Sequence, residues 1–183
     1  MILFAPEHRH RLLRTFALSL VIALFSILPQ ATQAQFYLNQ TSSLEGIERL
    51  LLITEFSGDA EQIESIDPNS LRRELSRHLL SAGTGIQLVS EQAWAREKGA
   101  PYLYVNVNGI KSDLGFYVYR LQVALYQEVN LVRAPDKSSI VPTWEAAELG
   151  FAGENRIESI SEDILRLLDN FILEFKSANE AAE

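Results

Sequence analysis

Side chains able to do acid–base, nucleophilic or metal chemistry are scarce in this 183-residue chain, which holds three histidines, no cysteine and 24 acids against 16 bases. His8 and His10 fall in a basic stretch at the start, so His78 stands alone in the remainder. Nucleophilic triads and most transition-metal sites draw on His or Cys, and those mechanisms lose nearly all their material here. His78 precedes Leu79 at the edge of an apolar stripe, the place of a boundary histidine that covers a core. Gly83-Thr84-Gly85 lacks the Lys-Ser/Thr and the following helix of a phosphate loop, and reads as a helix cap and turn. No Gly-x-Ser-x-Gly elbow occurs.

Carboxylates are the remaining reactive material. Glu55, Asp59, Glu61, Glu64 and Asp67 cluster within thirteen positions, but their spacing does not fit an EF-hand loop and the glycine such a loop requires is missing. A solvated acidic loop is the expectation, with no metal and no cofactor. Paired acids across a cleft can hydrolyse glycosides, which leaves a carboxylate-dependent hydrolase of a polar extracytoplasmic substrate as the alternative reading.

The elements that must carry these residues follow from periodicity. Residues 49–56 form an apolar run of strand length. Asp67-Pro68 reads as N-cap and first helical residue, and Leu71, Leu75, Leu79 and Leu80 share one face, which predicts a helix over 68–82 stopped by Gly83. A short strand over 86–89 and a short helix over 90–98 come next. Residues 102–110 alternate, 111–115 form a hairpin turn, and 116–132 alternate for some fifteen positions, which predicts a strand with one buried and one wetter face. That strand far exceeds the usual length and is expected to bend near Gln127. A turn over 134–139 and a weaker strand over 141–151 with Trp144 follow. Ile157, Ile160, Ile164, Leu168, Phe171 and Phe175 then step by three or four, an amphipathic helix over about 155–177. The order β-α-β-α-β-β-β-α reads as α+β: a two-layer sandwich with a mostly antiparallel sheet and helices packed on one face.

Alternation puts Leu103, Val105 and Val107 on the core side and Tyr102, Tyr104, Asn106 and Asn108 on the other. Arg120, Gln122 and Tyr126 share the non-core side of the next strand. Tyrosine and arginine are enriched where proteins meet, so Tyr102, Tyr104, Arg120 and Tyr126 are the candidate protein-binding face.

The chain begins with Arg9, Arg11 and Arg14 against Glu7, then fourteen uncharged residues over 15–28, Pro29, and small residues up to Ala34. A basic region, a short apolar region and small residues before a cut form a secretory leader, too short for a membrane span of roughly 20 residues. The expected organisation is a cleavable signal over 1–34, a flexible lead over 35–43, one domain over 44–178 and a disordered tail over 179–183. Cleavage removes three arginines and one glutamate and so deepens the formal net charge of −8 by two units. Such a surface disfavours nucleic acid, whose affinity comes from basic residues, and no stable membrane anchor is expected after cleavage. An exported chain without cysteine must rely on its core. These features point to a soluble, non-enzymatic, periplasmic or secreted module that binds another envelope or secreted protein through a sheet face or edge strand.

Overall fold

A computed structural model describes residues 40–63, 66–97, 99–153 and 159–180. The expected signal, residues 35–39 of the lead, Glu64, Lys98, Ile157 and residues 181–183 lie outside the described residues. No helix among the described residues is long and apolar enough to cross a membrane.

The fold is α+β. Strand β1 (Arg49–Gly58) leads through a 3-10 turn (Asp59–Gln62) into helix α1 (Pro68–Ser81), then β2 (Gln87–Leu88) and a one-turn helix α2 (Glu91–Trp94). Strands β3 (Tyr102–Lys111), β4 (Phe116–Leu131) and β5 (Ala134–Gly153) follow, and α3 (Ser159–Glu180) closes the described chain. The spatial order is β2-β1-β3-β4-β5. β1 runs parallel to both β2 and β3, while β3, β4 and β5 are antiparallel. The sheet is therefore mixed, not mostly antiparallel. The three hairpin-linked strands are antiparallel as expected, but the strands on either side of β1 are reached through helical connections, which return the chain in the same direction.

Local chemistry explains the element ends. Asp67 caps α1, accepting from the Ser70 amide at 2.8 Å and its hydroxyl at 2.9 Å, and these bonds hold its carboxyl below the usual carboxylate range. Gly83, past the end of α1, takes a positive φ of 69° that side chains disfavour. The expected helix over 90–98 shrinks to one turn because the Trp94 indole donates to the Ala100 carbonyl at 2.8 Å and folds the chain back.

The expected turn over 134–139 is strand. The hairpin turns instead at Val132 and Arg133, and Leu131 faces Ala134 while Asn130 faces Ser138, so residues 135–137 bulge out of register. Pro135 has no N–H to donate, and an edge strand with a bulge tolerates that. A second register shift falls between Leu125 and Tyr126, two residues before Gln127, and its extra residue is Thr143 on β5.

One hydrophobic cluster joins Leu71, Leu75 and Leu79 of α1 and Ile160, Ile164, Leu168, Phe171 and Phe175 of α3 to one face of the sheet. That face carries Leu50, Leu52, Leu103, Val105, Val107, Leu121, Val123, Leu125 and Trp144. Tyr119 also faces inward and lies over Gly150, where an added Cβ would come within 2.6 Å of its ring. Its hydroxyl donates to Asp163 at 2.8 Å. Burial first, then Asp163, pushes the phenol pKa up to about 12.

Two expected termini are tied down. Residues 40–43, placed in a flexible lead by their polarity, belong to a 3-10 turn (Gln40–Leu44) whose Leu44 is fully buried. Asn179, placed in a tail, is helical and bridges this segment, donating to the Leu44 carbonyl at 3.2 Å and accepting from the Gly46 amide at 2.9 Å.

Candidate functional site

The sheet face away from the helices is ordered in rows by strand register. Leu51, Ile53, Glu55 and Ser57 of β1 face Tyr102, Tyr104, Asn106 and Asn108 of β3. These four face Tyr126, Ala124, Gln122 and Arg120 of β4. On β5, Glu145, Ala147, Leu149 and Phe151 face Ala124, Gln122, Arg120 and Val118. Successive side chains alternate between faces, so all of these residues share one surface, and it divides into three zones.

The first zone is aromatic. Tyr102 and Tyr126 stack with centroids 4.9 Å apart and planes 2° from parallel. Tyr104 meets Tyr126 edge-on at 6.1 Å, and Trp94 meets Tyr102 edge-on at 5.8 Å. The Tyr104 hydroxyl donates to the Glu55 carboxylate, and the Asn106 amide donates to the Tyr104 hydroxyl at 3.3 Å. Burial, then the Glu55 hydrogen bond and charge, push the Tyr104 phenol up to about 12. Burial, then Tyr126, raise the Tyr102 phenol. A phenol held neutral this far above physiological pH gives hydrogen bonds and takes no protons. Beside the stacked pair lies a cleft of about 190 Å³ lined by Trp94, Glu97, Tyr102, Tyr126, Glu128 and Ile140.

The second zone is polar. Asn106 is 8% exposed, and Asn108 donates to the Ser57 hydroxyl at 2.8 Å. Arg120 donates to Gln122 at 2.7 Å and to Glu145 at 3.0 Å, and Gln122 also donates to Glu145 at 2.9 Å. The third zone is apolar and open: Ile110 sits across from Val118, which sits across from Phe151, with Leu149 beside it.

Of the four residues singled out from sequence, the structure brings Tyr102, Tyr104 and Tyr126 into one array. Arg120 shares their face but belongs to the polar zone: the Asn106–Gln122 row separates it from Tyr104, and its guanidinium is engaged by Gln122 and Glu145. Trp94 and Glu55 complete the aromatic zone and were missed. Only the fold-back at Ala100 brings Trp94 to Tyr102, and only the parallel register brings Glu55 beside Asn106; neither leaves a local signal.

The other candidates serve structure. His78 Nε2 lies 2.6 Å from Asp169 Oδ1 and links α1 to α3. Asp59 accepts from the Lys111 amide at 2.8 Å, pinning the β3 end, while Asp67 caps α1 and Glu55 stands on the sheet face. Glu55, Asp59 and Asp67, read as part of one acidic cluster from sequence, are thus spent on separate tasks.

No family model and no curated protein sequence matches the chain. Among solved structures it is similar to a PelC dodecamer from Paraburkholderia phytofirmans, with 14% identity over 71% of this chain and 87% of that one and a TM-score of 0.41. It is also similar to a minor lipoprotein from Acinetobacter baumannii, with 16% identity over 74% and 92% of the two chains and a TM-score of 0.31. Likenesses this distant carry no argument about function.

Proposed function

We propose that this protein is an exported, non-enzymatic module that binds another envelope or secreted protein through the open face of its sheet. One observation carries the reading: a stacked and edge-packed array of Tyr102, Tyr126, Tyr104 and Trp94 on the face that α1 and α3 leave uncovered. Tyrosine and tryptophan dominate interface hot spots. Rings already fixed by their neighbours lose little freedom on binding, which favours affinity. The two-layer arrangement keeps stability and recognition on opposite faces of the same strands. The leader supports an extracytoplasmic location, periplasmic or secreted.

The test is performed in the cell that makes the protein. A photo-crosslinking residue at Tyr104 should capture an extracytoplasmic protein, while the same residue at Leu173, exposed on α3, should not. The Tyr104→Ala, Arg120→Ala double substitution should weaken capture at least about tenfold, a loss of about 1.4 kcal/mol, with the fold retained. Recovery of the chain in the cytoplasm, or undiminished capture by the folded double variant, would refute the proposal.

A further inference from the structure

Among the described residues, the edge of the sheet formed by β5 is guarded along one half and bare along the other. An edge strand offers outward N–H and C=O groups to any neighbouring strand, and proteins blunt such edges with proline, charge, bulges or cover. The first half of β5 has all four. Pro135 and Pro142 lack a donor, residues 135–137 bulge out of register, Asp136 and Lys137 add charge, and the 3-10 turn covers the middle. In that turn the Gln40 side chain accepts from the Glu145 amide at 3.0 Å and the Ser43 hydroxyl donates to the Thr143 carbonyl at 3.1 Å.

Those two bonds also fix direction. Glu145 points its backbone outward, so Ala147, Leu149 and Phe151, of the same parity in unbroken register, do too. No described residue bonds to their outward groups. Residues 146–153 contain no proline and no register break, and their one charge, Glu148, is held on the helix side by Arg166 at 2.8 Å. On the open face Leu149 is 73% and Phe151 82% exposed.

We propose that this bare edge pairs with the same edge of a second copy, antiparallel and centred on Leu149. Two-fold pairing requires a self-complementary segment, and 146–153 is one. Leu149 meets Leu149, Ala147 meets Phe151, and Glu148 meets Gly150, so small faces large and no carboxylate faces its like. The register makes about six backbone hydrogen bonds from the outward groups of Ala147, Leu149 and Phe151. Elsewhere two copies of so acidic a chain repel one another; here the approaching segment presents no unpaired charge. The product is one continuous sheet of both copies, with the apolar zones of Ile110, Val118, Leu149 and Phe151 adjoining at its centre. This inference concerns the edge and is independent of the tyrosine face.

The absence of cysteine makes the register testable in the protein purified as the cell processes it. In the proposed pair the two Leu149 Cα atoms lie about 5.5 Å apart, within the range a disulfide spans. Leu149→Cys should therefore oxidise to a covalent dimer at least about tenfold faster than Leu114→Cys, which sits in the β3–β4 turn at 85% exposure. Sedimentation of the unsubstituted protein should show a dimer at about 100 µM, and Leu149→Lys should weaken it at least about tenfold. A monomer at that concentration would overturn the proposal, whatever else covers the edge, be it a different protein or the amino-terminal part of the same chain. Equal oxidation of the two cysteine variants would overturn it as well, because that is random collision.

Discussion

Phe171→Ala removes the centre of the α3 stripe. Phe171 is fully buried, edge-packed on Trp144 with centroids 5.2 Å apart, and tilted against Phe175 at 6.1 Å. Trp144 is itself pinned, its indole donating to Glu174 at 2.9 Å, so the site cannot collapse freely onto the vacancy. Truncating a buried phenylalanine costs about 3–5 kcal/mol. The lost aromatic pairing contributes about 0.5–1.5 kcal/mol beyond area, which places this substitution near the upper end, at about 4–5 kcal/mol. For a domain of this size each kcal/mol lowers the melting temperature by about 2–4 °C, so the drop should reach about 8–20 °C. Leu173→Ala, two residues on but 66% exposed, should stay within about 0.5 kcal/mol. Urea and thermal unfolding of both variants measure the difference. A fall of less than about 3 °C for Phe171→Ala, or equal falls for the two, would show that the stripe does not face this core.

Two further outcomes rest on Tyr119 and its neighbours. In the folded protein Tyr104 and Tyr119 should ionise near 12, above the free phenol value of about 10. A raised folded pKa gives stability that is whole below about 10 and lost as pH climbs through about 12, so unfolding should set in across that window. Phenolate absorbance should show Tyr119→Phe deleting one late-titrating group, and joint ionisation of all tyrosines near the free value would refute the assignment. Gly150→Ala should cost about 1–3 kcal/mol by displacing the Tyr119 ring from its bond to Asp163. Gly153→Ala, where a Cβ meets open space, should melt like the unsubstituted protein; equal effects would show that the ring does not lie over Gly150.

What could be read from the sequence was whatever a single element dictates. The alternation of β4 up to Leu125, the leucine face of α1 and the 3–4 stepping of α3 are each imposed by one buried side, so periodicity reveals them without knowledge of neighbours. Asp67-Pro68 marked a helix start because capping is local. What failed depended on partners. The parallel placement of β1 between β2 and β3 has no local signature. Residues 135–137 have turn composition, yet the edge position lets them ride in a strand. Gln40 and Asn179 look solvated until each is seen bonding the backbone of a distant segment. The candidate site divides the same way: alternation alone put three tyrosines on one face, but the stacking of Tyr102 on Tyr126 needs the β3–β4 register, and the fates of Arg120 and Trp94 need side-chain partners.

Because the tyrosine array and the helical core occupy opposite faces of the same strands, the double substitution in the capture assay can separate binding from folding. Arg120 makes an exposed ion pair with Glu145, an interaction worth about 0–1 kcal/mol. Tyr104→Ala gives up one edge-on ring contact, about 0.5–1.5 kcal/mol, and one hydrogen bond to Glu55 that is worth about as much. Among the described residues the two share no hydrogen-bond or ring partner, and the Asn106–Gln122 row separates them, so their effects should add. The sum, about 1–4 kcal/mol, is within the ~5–15 kcal/mol of a typical domain and no larger than the loss expected from Phe171→Ala alone. Capture and stability should therefore rank the two variants in opposite order. A Phe171→Ala chain that is still folded keeps its open face and should retain its partner, whereas the double variant, though at least as stable, should lose it. If both lose capture in proportion to their unfolded fraction, the face has no role of its own and the binding proposal fails.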